Sequence, residues 1–494
     1  MSFHTFPSQE GATELDIKSS HTAPPIYRAT ASLGCDASQT VGRDKLWWTD
    51  GAEIHSDTDP LPFINRIPTE LVGEIFSHYL RAKANPPQRF SRLTFQSHVS
   101  SPVTISHVCR HWRDVSLSMA TLWSSLRILR PDVDLIPMIQ LWLARAGDCP
   151  LSLSLRQGED EDHAHVAVEK ILSLLLSRAH LWKVVDFRLS SSVHKSLLSL
   201  SEKTFKQLES ATLDLRHWDH ASADQLWRVL HASPALRHAN WLGFDDPELP
   251  AHAPWSQLTH ITISRTMTEG EVMELVKLCP KVAVLDLPYL ERTLAPVAST
   301  CVTLPNLHTL KLTTSTSDYG EMFNHLELPG LMCLDITHAY GHSPAGSRSF
   351  ISNLLTKSSC RLKKLILCDW EMQEDRLLDI LALPDLQFLS ELELSTHVTD
   401  RIVQSLTFHQ DGSTRCLLPH LKAITLGESH ASDGVLSDMV TSRLPFLKAF
   451  RVEEVLEATM LSSKLGRTHD LVIIDSLRRQ GYDFYLSLEQ SFST

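Results

Sequence analysis

Between Leu208 and Leu447 the chain passes ten times through the same short pattern: an apolar residue, two variable positions, an apolar residue, one variable position and an apolar residue. The copies open at Leu208, Leu236, Leu258, Val282, Leu307, Leu331, Leu362, Leu389, Leu421 and Leu447, and the clearest are those at Leu307, Leu362 and Leu389. Steps between openings are 28, 22, 24, 25, 24, 31, 27, 32 and 26 residues, enough for one strand and a return segment. Side chains alternate along a strand, so the last two apolar positions of each unit share one face and the residues between them take the other. Stacking such units gives a parallel sheet covered on one side by helices or irregular returns.

The spacing is similar to that of leucine-rich repeats. Proline before several openings, as in Leu304-Pro305-Asn306, Leu328-Pro329-Gly330, Leu418-Pro419-His420 and Leu444-Pro445-Phe446, stands where its missing N–H does least harm to a following strand. The consensus Asn or Cys after the last apolar position is absent, with Ser315, Ala339, Trp370, His397 and Ser429 there instead. An irregular arc with uneven convex segments is expected. Two further strands are expected upstream, at Leu151–Leu155 and Val185–Leu189. At the end of the chain, Leu471–Arg479 reads as a helix, Gly481 as its stop and Tyr482–Leu488 as a last strand, which together would cap the stack.

Ile67 to Leu126 is of a different kind. Ile67, Leu71 and Ile75 recur every four residues, with Val72, Phe76, Tyr79 and Leu80 as a second apolar stripe beside them. Pro68 suits a first helical turn and Glu70 favours the helix dipole. Ile105, Val108, Cys109, Trp112 and Val115 read as the apolar face of another helix. Two short helices cannot bury both stripes alone, so one stripe is expected in the core and the other against a partner.

These residues resemble the F-box motif, in Ile67-Pro68-Thr69-Glu70-Leu71, Ile75-Phe76 and Val108-Cys109-Arg110-His111-Trp112. Ile67 replaces the leading leucine, and an insertion of about Arg81 to Pro102 separates the halves. That insertion, with Leu122-Trp123-Ser124-Ser125-Leu126 downstream, is similar to the F-box-like proteins of mushroom-forming fungi (basidiomycetes). The resemblance implies that Pro68, Leu71, Ile75, Val108, Cys109 and Trp112 bind a Skp-type adaptor and, through it, a cullin complex. It further implies a substrate receptor of a ubiquitin ligase, with no catalytic residue or cofactor of its own. The alternatives are a leucine-rich-repeat scaffold without a ligase role, or a hydrolase in an irregular α/β fold.

The expected architecture is therefore an α/β solenoid preceded by a small helical unit. It comprises a disordered tail (1–59), an F-box-like helical domain (60–130, with the insertion at 81–102), a repeat domain with a curved parallel sheet (131–456) and a capping segment (457–494). The tail is rich in Ser, Thr, Asp and Gly, with Trp47-Trp48 its one aromatic feature. A helix from Pro137 to Ala146 is expected to stop at Gly147.

A formal charge of −12 without a basic stripe argues against nucleic acid or anionic membrane as the main partner. No apolar run approaches the length of a bilayer span, and Met1–Thr5 does not open a secretory signal. An intracellular location, cytoplasmic or nuclear, is expected. Nine scattered cysteines without a C-x-x-C pair predict reduced, mostly buried thiols. His163 and His165 beside Glu159–Asp162 read as a solvated loop rather than a metal site. The 26 histidines look dispersed over loops and repeat surfaces, and no nucleophile elbow, phosphate loop or H-E-x-x-H appears.

Strand alternation places Asp214, Arg216, Thr262, Ser264, Asp286, Lys311, Asp335, Thr337, Glu393, Thr425, Arg451 and Glu453 on one inner face. That face is the expected substrate surface, acidic on balance and so suited to a basic or amphipathic partner. Trp218, Tyr289, Tyr340 and Trp370 are expected to line its rim as anchors or to cover the edge of the core.

Overall fold

A computed structural model describes residues 67–82, 101–158, 165–243, 248–291, 300–314, 320–338, 347–370, 372–408, 416–453 and 468–487. All lie in one compact unit, Pro62–Thr494. The expectations for residues 1–59, for 83–100 of the insertion, for Glu159–His163 and for Ser315, Ala339 and Tyr340 lie outside the described residues.

The first helix, α1 (Thr69–Ala82), buries Val72 and Phe76. Gly73 lets it approach Met119 closely, since a Cβ there would stand 2.3 Å from the Met119 Sδ. The second apolar segment is not one helix. α2 (Pro102–Ser106) and α3 (Arg110–Ser118) are broken at Cys109, whose backbone is extended and whose Sγ accepts the Trp112 N–H at 3.4 Å. Spacing alone reads 105–115 as continuous because a capping thiol sits on the apolar stripe.

Strand and return then alternate. β1 (Ser125–Ile128) leads through α4 (Ile136–Ala146) to β2 (Leu151–Arg156), through α5 (His165–Leu176) to β3 (Trp182–Arg188), and through α6 (His194–Leu198) to β4 (Ser210–Asp214). α7 (His220–His231) precedes β5 (His238–Leu242), a 3-10 turn at Trp255–Gln257 precedes β6 (His260–Ile263), and β7 (Met267–Thr268) with α8 (Glu269–Leu278) precedes β8 (Val284–Glu291). β9 (Val302–Thr303) comes before β10 (Thr309–Thr314), and α9 (Gly320–Asn324) with β11 (Leu326–Glu327) before β12 (Cys333–His338). α10 (Ser347–Ser358), α11 (Glu374–Leu381), α12 (Asp400–Ser405), α13 (Val435–Arg443) and α14 (Thr468–Arg479) lead in turn to β13 (Lys364–Cys368), β14 (Glu391–Val398), β15 (Ala423–Ser429), β16 (Ala449–Glu453) and β17 (Asp483–Ser487).

Apart from the β9–β11 pair, these strands form a single 15-stranded parallel sheet, 14 of them in sequence order and β7 as a side branch on β8. The arrangement is α/β, and each of the ten repeat openings stands two residues ahead of a strand of this sheet. The openings at Leu208 and Leu236 do so as regularly as the rest, and both are fully buried. Parallel pairing puts like position on like, so Leu285, Leu310, Leu334, Leu365 and Leu392 form one continuous buried row. The returns are uneven, with five residues in α6 and 12 in α5. Gly147 (φ 56°) and Gly481 (φ 98°) end α4 and α14 in the left-handed region that favours glycine.

The boundary expected at residue 130 is not a break in the sheet. β1 lies in the region assigned to the helical unit and pairs with β2, and one core runs from Val72 to Phe484. At the other end, β17 pairs with β16 as a strand of the same sheet.

Candidate interaction surfaces

The α1 stripe that the core does not take is Leu71 (55% exposed), Ile75 (51%) and Tyr79 (37%), spaced four residues apart on one helical face. Val108 (58%) is exposed in the turn between α2 and α3, and Pro68 is exposed at the start of α1. Tyr79 is grouped by sequence with the core stripe, although its spacing from Ile75 signals the exposed one. The other two expected anchors do structural work. Cys109 caps α3, and the half-buried Trp112 packs edge-on against Phe76 with ring centroids 4.9 Å apart.

Across the sheet, register brings Asp286, Lys311, Asp335, Ile366, Glu393, Thr425 and Arg451 side by side on β8 to β16. Thr262 extends this row from β6. Asp335 is buried, because neighbouring strands only about 4.8 Å away on each side cover so short a side chain. Glu393 lies 3.6 Å from the Lys364 ammonium, and Arg451 pairs with Asp483 at 3.2 Å.

At the opposite end, Arg156, Arg188 and Asp214 are in register on β2 to β4. Asp214 is buried beneath two guanidinium groups: Arg188 Nε donates to Oδ2 at 2.8 Å, and Arg216 donates to both carboxylate oxygens at 3.0 and 2.9 Å. Burial alone would raise the Asp214 pKa, but the hydrogen bond from Arg216 and the charges of Arg188 and Arg216 hold it below the usual range.

Asp214 and Asp335 are buried, whereas the Arg156, Arg188 and Arg216 side chains are 51%, 45% and 47% exposed. Of the expected rim aromatics, Trp218 is buried and its Nε1 donates to the Leu189 carbonyl at 2.9 Å, closing the core. Tyr289 and Trp370 are exposed.

The histidines are less dispersed than the sequence suggests. Asp224 Oδ1, His252 and His231 form a hydrogen-bonded chain (2.8 and 2.7 Å), and His231 is buried against Trp227 and Trp241. Their separations of 28 and 21 residues hide this chain from a sequence reading. It has the form of a proton relay, and among the described residues no hydroxyl or thiol hydrogen-bonds to it. No group of three or more His, Cys, Asp or Glu side chains suited to a metal occurs among the described residues. The eight described cysteines are free, but only Cys279 and Cys360 are buried, fewer than expected.

Burial, and secondarily the charge on His252, pushes the His231 pKa down from 6.5 to about 3, so folding favours its neutral form. That stability is fully present above about pH 6.5 and is lost as pH falls toward 3, at about 1.4 kcal/mol per pH unit for one proton. Burial lowers His238, His260 and His338 as well, which adds to the same trend. Urea unfolding at pH 5 is expected to show a clearly lower midpoint than at pH 7, and a His231→Leu variant a flatter dependence. Equal slopes for the two proteins would contradict this origin.

No family model matches the chain, and no curated protein matches it in sequence. Among solved structures it is similar to a Bacteroides fragilis protein at 14% identity, over 60% of this chain and 84% of that one, with a TM-score of 0.35. No helix among the described residues is long and apolar enough to cross a membrane.

Proposed function

We propose that this chain is a substrate-recognition adaptor of a Skp–cullin–F-box type ubiquitin ligase. In this reading α1 to α3 are the F-box unit that binds the Skp-type adaptor, and the parallel sheet belongs to a leucine-rich-repeat solenoid whose open face holds a protein substrate. The observation that carries it is the exposed Leu71 and Ile75 on α1, at the positions where the motif resemblance expects adaptor contacts, while Val72 and Phe76 of the same helix are buried. Exposed apolar side chains that line up on one face are suited to a second protein. Strands that follow one another in sequence order in one parallel sheet support the solenoid half of the reading. The chain would supply no reacting group; it would raise the local concentration of substrate near a charged conjugating enzyme.

Affinity purification of the tagged protein from its own cells is expected to recover a Skp-type adaptor and a cullin. Recovery of other partners without either would leave a repeat scaffold with no ligase role. For the substrate, Asp286→Lys with Glu393→Lys is expected to cut recovery about tenfold while adaptor recovery is unchanged. Asp335 is left intact because a charge reversal at that buried position would disturb the fold. Retention of every partner by the double variant would move the substrate surface off this row.

A further inference from the structure

At the edge where strands enter the sheet, the residue just before each repeat opening is polar or small through the first six units: Gln207, Ala235, Gln257, Lys281, Asn306 and Gly330. In the last four it becomes Arg361, Phe388, His420 and Phe446. All four are exposed, the two phenylalanines 58% each, although nothing in the repeat pattern requires an aromatic there. They form a ladder. The Arg361 guanidinium lies 5.5 Å from the Phe388 ring centroid, and Phe388 stacks on His420 at 5.9 Å with the rings 4° from parallel.

Just after each opening the same four units carry Lys363, Ser390, Lys422 and Lys448, neighbours linked by backbone hydrogen bonds of 2.7 to 2.9 Å. All three lysines are exposed, and none forms an ion pair among the described residues. In the same sheet Glu391 pairs with Lys364 at 3.9 Å and Asp483 with Arg451 at 3.2 Å, both carboxylates about half exposed or more, and Asp385 is half-buried. An acidic chain thus concentrates cationic groups beside two exposed rings.

We infer that this strand-entry edge, from Arg361 to Lys448, is a second interaction surface, and that it holds an acidic segment of a partner protein with an aromatic or large apolar side chain as anchor. Phe388 and Phe446 supply the apolar contact, Arg361 and His420 extend the stacking, and the lysines meet the carboxylates. The surface stands apart from the α1 stripe and from the open face, and does not depend on the ligase reading.

The test is selection of a random 12-residue peptide display library on the full chain, followed by fluorescence anisotropy with the enriched peptides after synthesis. Enriched sequences are expected to be net acidic and to carry an aromatic or large apolar residue. Phe388→Ser with Phe446→Ser is expected to weaken their binding at least about tenfold. Lys422→Glu with Lys448→Glu is expected to do the same, and added salt to weaken wild-type binding. All four positions are exposed, so thermal unfolding should be unchanged in both variants. Enriched peptides without net negative charge, binding indifferent to the substitutions, or no enrichment would overturn the inference. Binding of a 15-nucleotide oligothymidylate that is lost in the same variants would also overturn it, by assigning the edge to single-stranded nucleic acid. If a Skp-type adaptor failed to bind while these peptides held, only the ligase reading would fall.

Discussion

Replacing Leu71 and Ile75 together with alanine is expected to weaken capture of a Skp-type adaptor by about thirtyfold or more, equivalent to about 2 kcal/mol. The melting temperature should not change, because both side chains are more than half exposed and leave no cavity when shortened. Trp112→Ala is the contrasting case. Its ring lies 4.9 Å from that of Phe76, so its loss should lower the melting temperature and reduce adaptor binding only through damage to the unit. Calorimetry on the two variants beside an adaptor-binding isotherm separates contact from support. Unchanged adaptor affinity in the Leu71 and Ile75 double variant would remove α1 from the interface.

Arg443→Ala is expected to be among the most destabilising single changes, at about 3 kcal/mol or more. Arg443 is completely buried at the end of α13, and burial lowers its pKa. Its guanidinium donates to the carbonyls of Leu406, Leu417 and Leu418, the last two at 2.8 and 3.0 Å, and to Cys416 Sγ at 3.0 Å. No carboxylate accepts from it among the described residues, so backbone dipoles take the place of a counter-ion and tie the residues after α12 to those before β15. Alanine would leave those acceptors buried without a donor. Lysine should recover only part of the loss, since a single ammonium cannot reproduce the planar fork. A shift below about 1 kcal/mol in urea unfolding would contradict this role.

The sheet was legible because its signal is local and repeated: an opening leucine and two alternating apolar positions report a strand without any knowledge of its neighbours. Even the copies at Leu208 and Leu236, whose middle apolar residue is only alanine (Ala211, Ala239), follow the rule, since each contributes a buried side chain at the same point. What escaped the reading depends on contacts between distant residues. Trp218 reads as a rim anchor until its indole is seen to donate to Leu189, 29 residues away. Asp214 reads as a free charge until Arg188 and Arg216 close over it. Cys109 sits on an apolar stripe yet acts as a cap, because the thiol that suits a buried face also accepts the Trp112 N–H. On α1 the spacing gave two stripes, but it took Phe76 meeting Trp112 to decide which was core and which was left outside.

The direct measurement of the central claim is titration calorimetry of the purified chain with a recombinant Skp-type adaptor, with the Leu71→Ala, Ile75→Ala protein as control. The account predicts a one-to-one complex with Kd of about 1 µM or tighter for the wild type and about thirtyfold weaker for the control. No detectable heat with the wild type, or equal affinity in the two proteins, would contradict it.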